Sequence, residues 1–380
     1  MRDVLVIYYF PHHSGLLEGQ CSSLKEYGFN IDALLFNNIM IKYLSSNNGK
    51  APFLYYICSF LYNKFHNMRG FNRLGLRNFL INKSFESLFK NYKIIEFAGV
   101  YNPKILDLAR KAKEKGKKII SKPWDHYILD WHEDLYKLSD VINVGAMKNA
   151  YAVLFPQYVN KFESVSYGLS QLNLLNGMLD GKVQKDISFL SDEAKGRTIV
   201  TIGYSGRAWH QHFYVIDAIE QLPIEMKDKL FLLFPMTYAN TDRFYNDYLL
   251  ERVKQTGVPF QLLTKHLSLL ENLSMRMISD IVIIWQLNDA NSASVQEHLM
   301  AGSVLVAGDW LPYKRFREYG AYLHNSTKDN LIQTLYAVWN NIDLEKEKSK
   351  INRKVIYKLS SWDNKGKEFA HMYNRLYGIE

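Results

Sequence analysis

Cysteine is scarce in this sequence: 380 residues carry only Cys21 and Cys58. Two thiols cannot build the multiply bridged framework of a small secreted fold, so a reducing compartment is expected. Long apolar runs are missing too. The longest, residues 51–62, falls well short of the roughly 20 apolar residues a helix needs to cross a bilayer. The first ten residues read as a strand and have neither the apolar core nor the small-residue cleavage site of a signal peptide. A cytoplasmic protein is expected, with peripheral placement at the inner face of the cytoplasmic membrane as its variant.

Acidic residues nearly vanish from one region. Between positions 41 and 93, Lys42, Lys50, Lys64, Arg69, Arg73, Arg77, Lys83, Lys90 and Lys93 stand against Glu86 alone. Nine bases against one acid leave +8 of the chain's net +9 in that segment. Phe and Tyr residues are interleaved with these charges, from Phe53 to Phe89. Such a segment suits an anionic membrane surface. Nucleic acid is the competing anion, and a solvated helix pair with an ordinary core face is the plainer alternative. The reading carried forward is the membrane surface, with no nucleic acid.

What is present is ordinary globular composition, 47% hydrophobic and 22% charged, in a length that suits two domains. Strand and helix patterns alternate, which argues for α/β layers and parallel sheets. Strands are expected at 3–10, 30–36, 93–97, 118–121 and 140–144, with a mostly helical basic segment after the second. Residues 169–196 are weakly patterned and read as an interdomain crossing. Alternation restarts at Thr198, with strands at 198–203, 229–234, 260–263, 280–284 and 303–307. The expected organisation is one Rossmann-like domain at 1–168 and a second at 197–355, with a terminal helix in 356–380.

Two constellations could carry chemistry. In Asn288-Asp289-Ala290-Asn291-Ser292-Ala293-Ser294-Val295-Gln296-Glu297, a loop follows an apolar strand and opens a helix. Backbone N–H groups at a helix N-terminus attract anions, and the serines add donors, so a diphosphate would suit it. The competing reading makes Ser294 and Glu297 a capping box that serves only its own helix. In Ile202-Gly203-Tyr204-Ser205-Gly206-Arg207, continuing to His212, glycines after a strand admit a ligand close to the backbone, or simply make a turn.

These segments resemble the retaining GT-B glycosyltransferases that carry an E-x7-E motif. Their acidic pair corresponds to Asp289 and Glu297, with Asp in place of the first Glu, followed by a small residue and Gly, here Ala301-Gly302, and an apolar strand. The resemblance implies that Glu297 holds the donor ribose and Asp289 orients the sugar. Arg207 matches the family's diphosphate-binding Arg, while His212 stands where its Lys would be. Pro235-Met236-Thr237-Tyr238, with Tyr245 and Tyr248, resembles bacterial 4-acetamido-4,6-dideoxygalactose transferases of lipid-linked polysaccharide assembly. Gln261 and Lys265 fall where GT-B enzymes commonly read the nucleobase through backbone groups. The run Asp309 to Tyr313 is similar to capsule and O-antigen transferases, and Ser361-Trp362 resembles the GT-B tail. The resemblance covers most of residues 197–380; the N-terminal half matches only in pattern.

The resemblance thus implies GT-B architecture: two Rossmann-like domains facing across a cleft, an acceptor domain at 1–168 and a nucleotide-sugar-binding domain at 197–355, with the helix in 356–380 crossing back to the first. It implies a nucleotide-sugar donor as substrate, no separate cofactor, no obligatory metal, and a saccharide or lipid-linked saccharide acceptor. In the first half, His12 and His13 lie on the first strand-to-helix turn, and Asp125 follows another strand. An inverting transferase or a 2-epimerase stays open, with His13 or Asp125 as base, as does a non-catalytic nucleotide-sugar or polysaccharide-binding subunit.

Overall fold

The computed structural model describes residues 2–8, 14–36, 41–45, 53–65, 76–99, 103–123, 133–237, 243–289 and 291–379. The chain divides into two compact units, Met1–Ser170 with Ser360–Glu380, and Gln171–Leu359.

The first unit is built on β1 (Arg2–Tyr8), β2 (Phe29–Phe36), β3 (Ile41–Ser45), β4 (Ile94–Ala98), β5 (Lys118–Lys122), β6 (Val141–Asn143) and β7 (Phe162–Glu163). Among the described residues they form one sheet in the order β3-β2-β1-β4-β5-β6-β7. All neighbours are parallel except β2 and β3, which pair antiparallel from Asp32↔Ser45 to Phe36↔Ile41. Val4–Tyr8 and all of β4 are buried. Such continuous apolar strands belong to a parallel sheet covered on both faces.

The terminal helix Trp362–Tyr377 is part of this unit and is tied to it by several kinds of contact. Its alternating polar and apolar residues bury Trp362, Phe369, Met372 and Tyr373. Trp362 lies so close to Gly168 and Gly19 that a Cβ on either would stand 2.6 Å and 2.0 Å from its indole. Deeper in, the Tyr373 hydroxyl donates to Glu96 Oε2 at 2.6 Å and accepts from Gln20 Nε2 at 2.7 Å. Burial pushes the Glu96 carboxyl pKa up, against the pull of the Lys122 ammonium.

The second unit is built on β8 (Thr198–Ile202), β9 (Leu230–Pro235), β10 (Phe260–Leu263), β11 (Ile281–Ile284), β12 (Val304–Gly308) and β13 (His324–Ser326). Their order is β10-β9-β8-β11-β12-β13, parallel throughout among the described residues. β9, β11 and β12 are buried end to end. Each fully buried Leu, Ile, Val or Phe contributes ~1.5–3 kcal/mol.

Residues 171–196, read as an interdomain crossing, lie in the second unit, where they include the helix Gln171–Leu179. Three edge strands, β3, β7 and β13, also escape a reading by apolar runs. β3 lies in the segment read as helical, and β13 is three polar residues held to β12 at Val306↔His324, Ala307↔Asn325 and Gly308↔Ser326. The rest of the basic segment does carry helices, Phe53–Phe65 and Leu76–Phe89.

The contact between Trp362 and the two glycines yields a stability test. Trp362→Ala should cost ~3–5 kcal/mol, and Gly168→Val, which forces a side chain into the indole, ~1–3 kcal/mol. Urea denaturation monitored by tryptophan fluorescence measures both; unchanged stability in Gly168→Val would show that the helix is not seated on this glycine.

Candidate functional site

In a doubly wound parallel sheet, the strand order reverses beside the first strand, and the loops leaving the carboxyl ends there splay apart to make a crevice. In the second unit that point lies between β8 and β11. The loop after β8 begins at Gly203, whose φ of +66° is left-handed. A Cβ there would stand 3.0 Å from His212 Nε2 and 3.1 Å from His210 Nδ1, so both conformation and space demand glycine. The Gly203 amide donates to Ile283 O at 2.9 Å. Gln211, left-handed at φ +52°, donates its side-chain amide to Trp285 O at 2.8 Å, and Leu287 N donates to Trp209 O at 2.9 Å. The loops after β8 and β11 are thereby laced together. The loop after β12 joins them through Trp310 Nε1, which donates to Gln286 O at 2.9 Å.

These three loops converge on Asp289. Tyr204, from the first loop, donates its hydroxyl to Asp289 Oδ2 at 3.2 Å, and Tyr313, from the third, donates to the same oxygen. Gln286 Nε2 donates to the Tyr204 oxygen at 3.0 Å. Burial first, and the Asp289 charge second, push both phenol pKa values up, so each stays a donor. Two residues on, Asn291 Oδ1 accepts from Gln296 Nε2 at 3.0 Å and from Arg315. The carboxylate is therefore held by two phenols, one of them braced by Gln286.

The helix that follows starts at Ala293 and ends at Gly302, which is left-handed at φ +89°. Its N-cap is Ser292, whose hydroxyl accepts from Val295 N at 3.4 Å. This overturns the capping-box reading of Ser294 and Glu297. Ser294 is inside the helix, one turn is already closed before Glu297, and that carboxylate is committed elsewhere. Glu297 Oε1 accepts from Gln171 Nε2 at 2.6 Å, and Oε2 accepts from Arg276 Nε at 3.2 Å. Both charged side chains are more than nine-tenths buried. Arg276 Nη1 and the Ser294 hydroxyl are buried without a hydrogen-bond partner. The neighbouring His298 pairs its Nδ1 with Ser303 Oγ at 3.1 Å, and Ser303 donates to Arg276 O.

Other candidate residues fall differently. Arg207 is exposed, with its guanidinium 4.5 Å from the Trp209 ring centroid. His212 is fully buried, its Nδ1 shares a proton with the Tyr245 hydroxyl at 2.7 Å, and burial pushes its pKa down to about 3. It is a neutral packing ring and does not present a cation. Ser205 and Gly206 are buried in the turn, and Thr237 is half-buried past β9. The side chain of Gln261 is committed within the fold. Its amide donates to Phe189 O at 2.7 Å and accepts from Ser191 N at 2.9 Å, pinning the 189–191 segment to the edge strand. Lys265 is exposed. His13, Asp125 and Tyr238 lie outside the described residues.

Residues that the motifs did not single out complete the arrangement: Tyr204 and Tyr313 as braces, Arg276 and Gln171 as partners of Glu297. Arg276 could have been suspected. It follows Leu273 by three positions on the apolar face of the helix Leu269–Ile278, and a charge on a buried face needs a buried partner.

No protein-family model matches the sequence, and no curated protein does. Solved structures do, over the whole chain. HepE of Anabaena in complex with UDP and glucose superposes with a TM-score of 0.65 at 11% identity, covering 99% of this chain and 100% of that one. A glycosyltransferase from Rickettsia africae gives 0.66 at 11%, with full coverage of both chains. A UDP-forming α,α-trehalose-phosphate synthase from Burkholderia xenovorans gives 0.63 at 14%, covering 100% and 99%. The fold is that of the GT-B glycosyltransferases. In GT-B terms, the second unit is the half in which β8 and β11 flank the switch point and Asp289 sits above it.

Two measurements probe this site. Burial holds His210 near pKa 4 and His212 near 3, while both titrate near 6.5 once unfolded. Below that pH the unfolded chain takes up protons that the folded chain refuses. Stability is therefore full above about pH 6.5 and declines toward pH 4, by ~1.4 kcal/mol per pH unit for each histidine. Urea midpoints across that range should show the slope, and His212→Gln should reduce it by about one proton. Separately, Arg276→Met strands a buried carboxylate and should cost ~3–5 kcal/mol; adding Glu297→Gln should recover part of the loss in the same denaturation assay.

Proposed function

We propose that this chain is a glycosyltransferase that moves a sugar from a nucleotide-sugar donor to a saccharide acceptor. The convergence of three switch-point loops on Asp289 carries the proposal. The fold supports it, because HepE was solved with UDP and with UDP-glucose, and the trehalose-phosphate synthases are UDP-forming. UDP-sugars are accordingly the first donors to try. We place the chain in the E-x7-E group, with transfer that retains the anomeric configuration and needs no obligatory metal. The acceptor we favour is a lipid-linked saccharide in cell-surface polysaccharide assembly, following the resemblance of residues 235–248 and 309–313.

The roles follow from placement. Asp289, fixed by Tyr204 and Tyr313, orients the donor sugar. Glu297 takes the ribose; its two oxygens keep lone pairs beyond those used by Gln171 and Arg276. The departing diphosphate is stabilised by Arg207 and by the N-terminus of the Ala293–Ala301 helix, where the Ser294 hydroxyl awaits a partner. His212 shapes the Gly203 turn instead of contributing charge.

A thermal-shift screen against UDP, UDP-glucose, GDP-mannose and dTDP-glucose tests donor binding directly, since a ligand of the native state raises the melting temperature. Asp289→Asn should impair sugar transfer while free-nucleotide affinity stays close to wild type. Arg207→Ala should lower turnover by ~10²–10³ with a smaller effect on binding, because diphosphate charge grows as the sugar leaves. Glu297→Gln should weaken donor affinity by ~1.5–3 kcal/mol. Normal donor affinity and turnover in both Asp289→Asn and Glu297→Gln would remove the acidic pair from the site.

A further inference from the structure

The basic segment of the first unit is no part of the donor constellation, and the two helices among its described residues have an unusual surface. The Phe53–Phe65 helix buries Tyr55, Cys58 and Tyr62, and the Leu76–Phe89 helix buries Leu80, Ile81, Phe85, Leu88 and Phe89. The helices pack on each other and on the strands, so their core faces are already filled. A second set of large apolar side chains is left outside. On the first helix, Tyr56, Ile57 and Phe60 are 49%, 41% and 63% exposed; on the second, Leu76 and Phe79 are 40% and 54% exposed. Positions 56, 60 and 64 follow one another at helical spacing, so the apolar stripe of the first helix ends in a lysine.

Lysines accompany the rings on both helices. Lys64 Nζ stands 5.8 Å from the Phe60 ring centroid and 5.4 Å from that of Phe65, and Lys83 Nζ stands 6.0 Å from that of Phe79. Glu86, the lone acid of residues 41–93, is spent on Lys83 at 3.3 Å. An exposed ring with an ammonium over it suits the boundary between acyl chains and headgroups. The ring enters the apolar layer, and the flexible lysine stem carries its charge back to anionic phosphate. No described helix is long and apolar enough to cross a membrane, so the contact is made from the surface.

We propose that these two helices dock the protein on an anionic lipid bilayer, with Phe60 and Phe79 as apolar anchors and Lys64 and Lys83 as headgroup contacts. The occupant follows from charge complementarity: on the two helices Lys64, Arg77 and Lys83 stand against Glu86 alone, a positive surplus within a stretch of net +8, and an acidic headgroup layer matches it. The proposal is independent of the donor reading, because none of these residues belongs to the donor constellation.

The test is co-sedimentation of the full chain with vesicles of phosphatidylcholine alone and of phosphatidylcholine with phosphatidylglycerol, at low and high salt. Binding should require phosphatidylglycerol and weaken as salt rises. Lys64→Gln and Lys83→Gln should each weaken it about fivefold, the equivalent of ~1 kcal/mol per basic residue. Phe60→Ser with Phe79→Ser should weaken it roughly tenfold or more. All four side chains are at least partly exposed, and an unchanged melting temperature and nucleotide thermal shift would confirm that the variants are folded. Vesicle binding that ignores phosphatidylglycerol, or persists in the phenylalanine double variant, overturns the proposal. So does retention by polyuridylate without retention by vesicles, which would assign the surface to nucleic acid.

Discussion

The buried Arg276–Glu297 pair is the constraint on which the candidate site rests. Neither charge could remain in the apolar interior alone. Once paired, they fix the rotation of the Ala293–Ala301 helix against the Leu269–Ile278 helix, and Gln171 adds a third helix to the same carboxylate. His298 and Ser303 repeat the tie one residue further on, through the Arg276 carbonyl. With rotation fixed, the position of the helix N-terminus is fixed too, and so is the Asp289–Ser292 loop that leads into it. A pair of apolar residues would fill this space at less desolvation cost but would not define one rotation as sharply.

The first unit uses the same device for a different end. Glu96 lies on a central strand and would be costly there alone. The phenol of Tyr373, from the far end of the chain, supplies its hydrogen bond, and the ammonium of Lys122 supplies charge. The terminal helix is thus held by a polar lock inside and by Trp362 wedged over Gly19 and Gly168 at its start. A helix whose Tyr373 lies 353 positions from Gln20 becomes part of the first sheet's covering. In both units a buried carboxylate sets which segments belong together.

How much of this was legible from the sequence depends on whether the signal was apolar or polar. The runs at 281–284 and 303–307 declared themselves as strands because a doubly covered parallel sheet needs unbroken apolar residues. The restart of alternation at Thr198 was legible for the same reason, whereas the return of Trp362 to the first unit was expected only from the resemblance of Ser361-Trp362 to the GT-B tail. β13, made of His324, Asn325 and Ser326, had no such signal; it is a strand because β12 offers it an edge. Asp289 and Glu297 were singled out by the resemblance, but the side chains that hold them were not. Tyr204 and Tyr313 lie 85 and 24 positions from Asp289, and no local pattern connects side chains across such separations. The capping-box alternative failed for a subtler reason: Ser292 and Ser294 are both competent caps, and tertiary pairing of Glu297 decided between them.

The departures of this chain from the E-x7-E pattern acquire a physical meaning in this setting. Aspartate reaches one methylene less far than glutamate, so its direction matters more. Tyr204 and Tyr313 grip a single oxygen of Asp289 from two different loops and thereby set that direction. At position 212 a lysine would bring a mobile cation, whereas histidine sits neutral against Gly203 and Tyr245. Under the proposed function, the charge leaving with the nucleotide then meets Arg207, a helix N-terminus and fixed hydroxyl dipoles. Such groups need little reorganisation at the moment of transfer, and inside a water-poor pocket oriented dipoles can do the work of a mobile charge. The laced loops after β8, β11 and β12 are what make that substitution workable, because dipoles stabilise a transition state only as well as they are held in place.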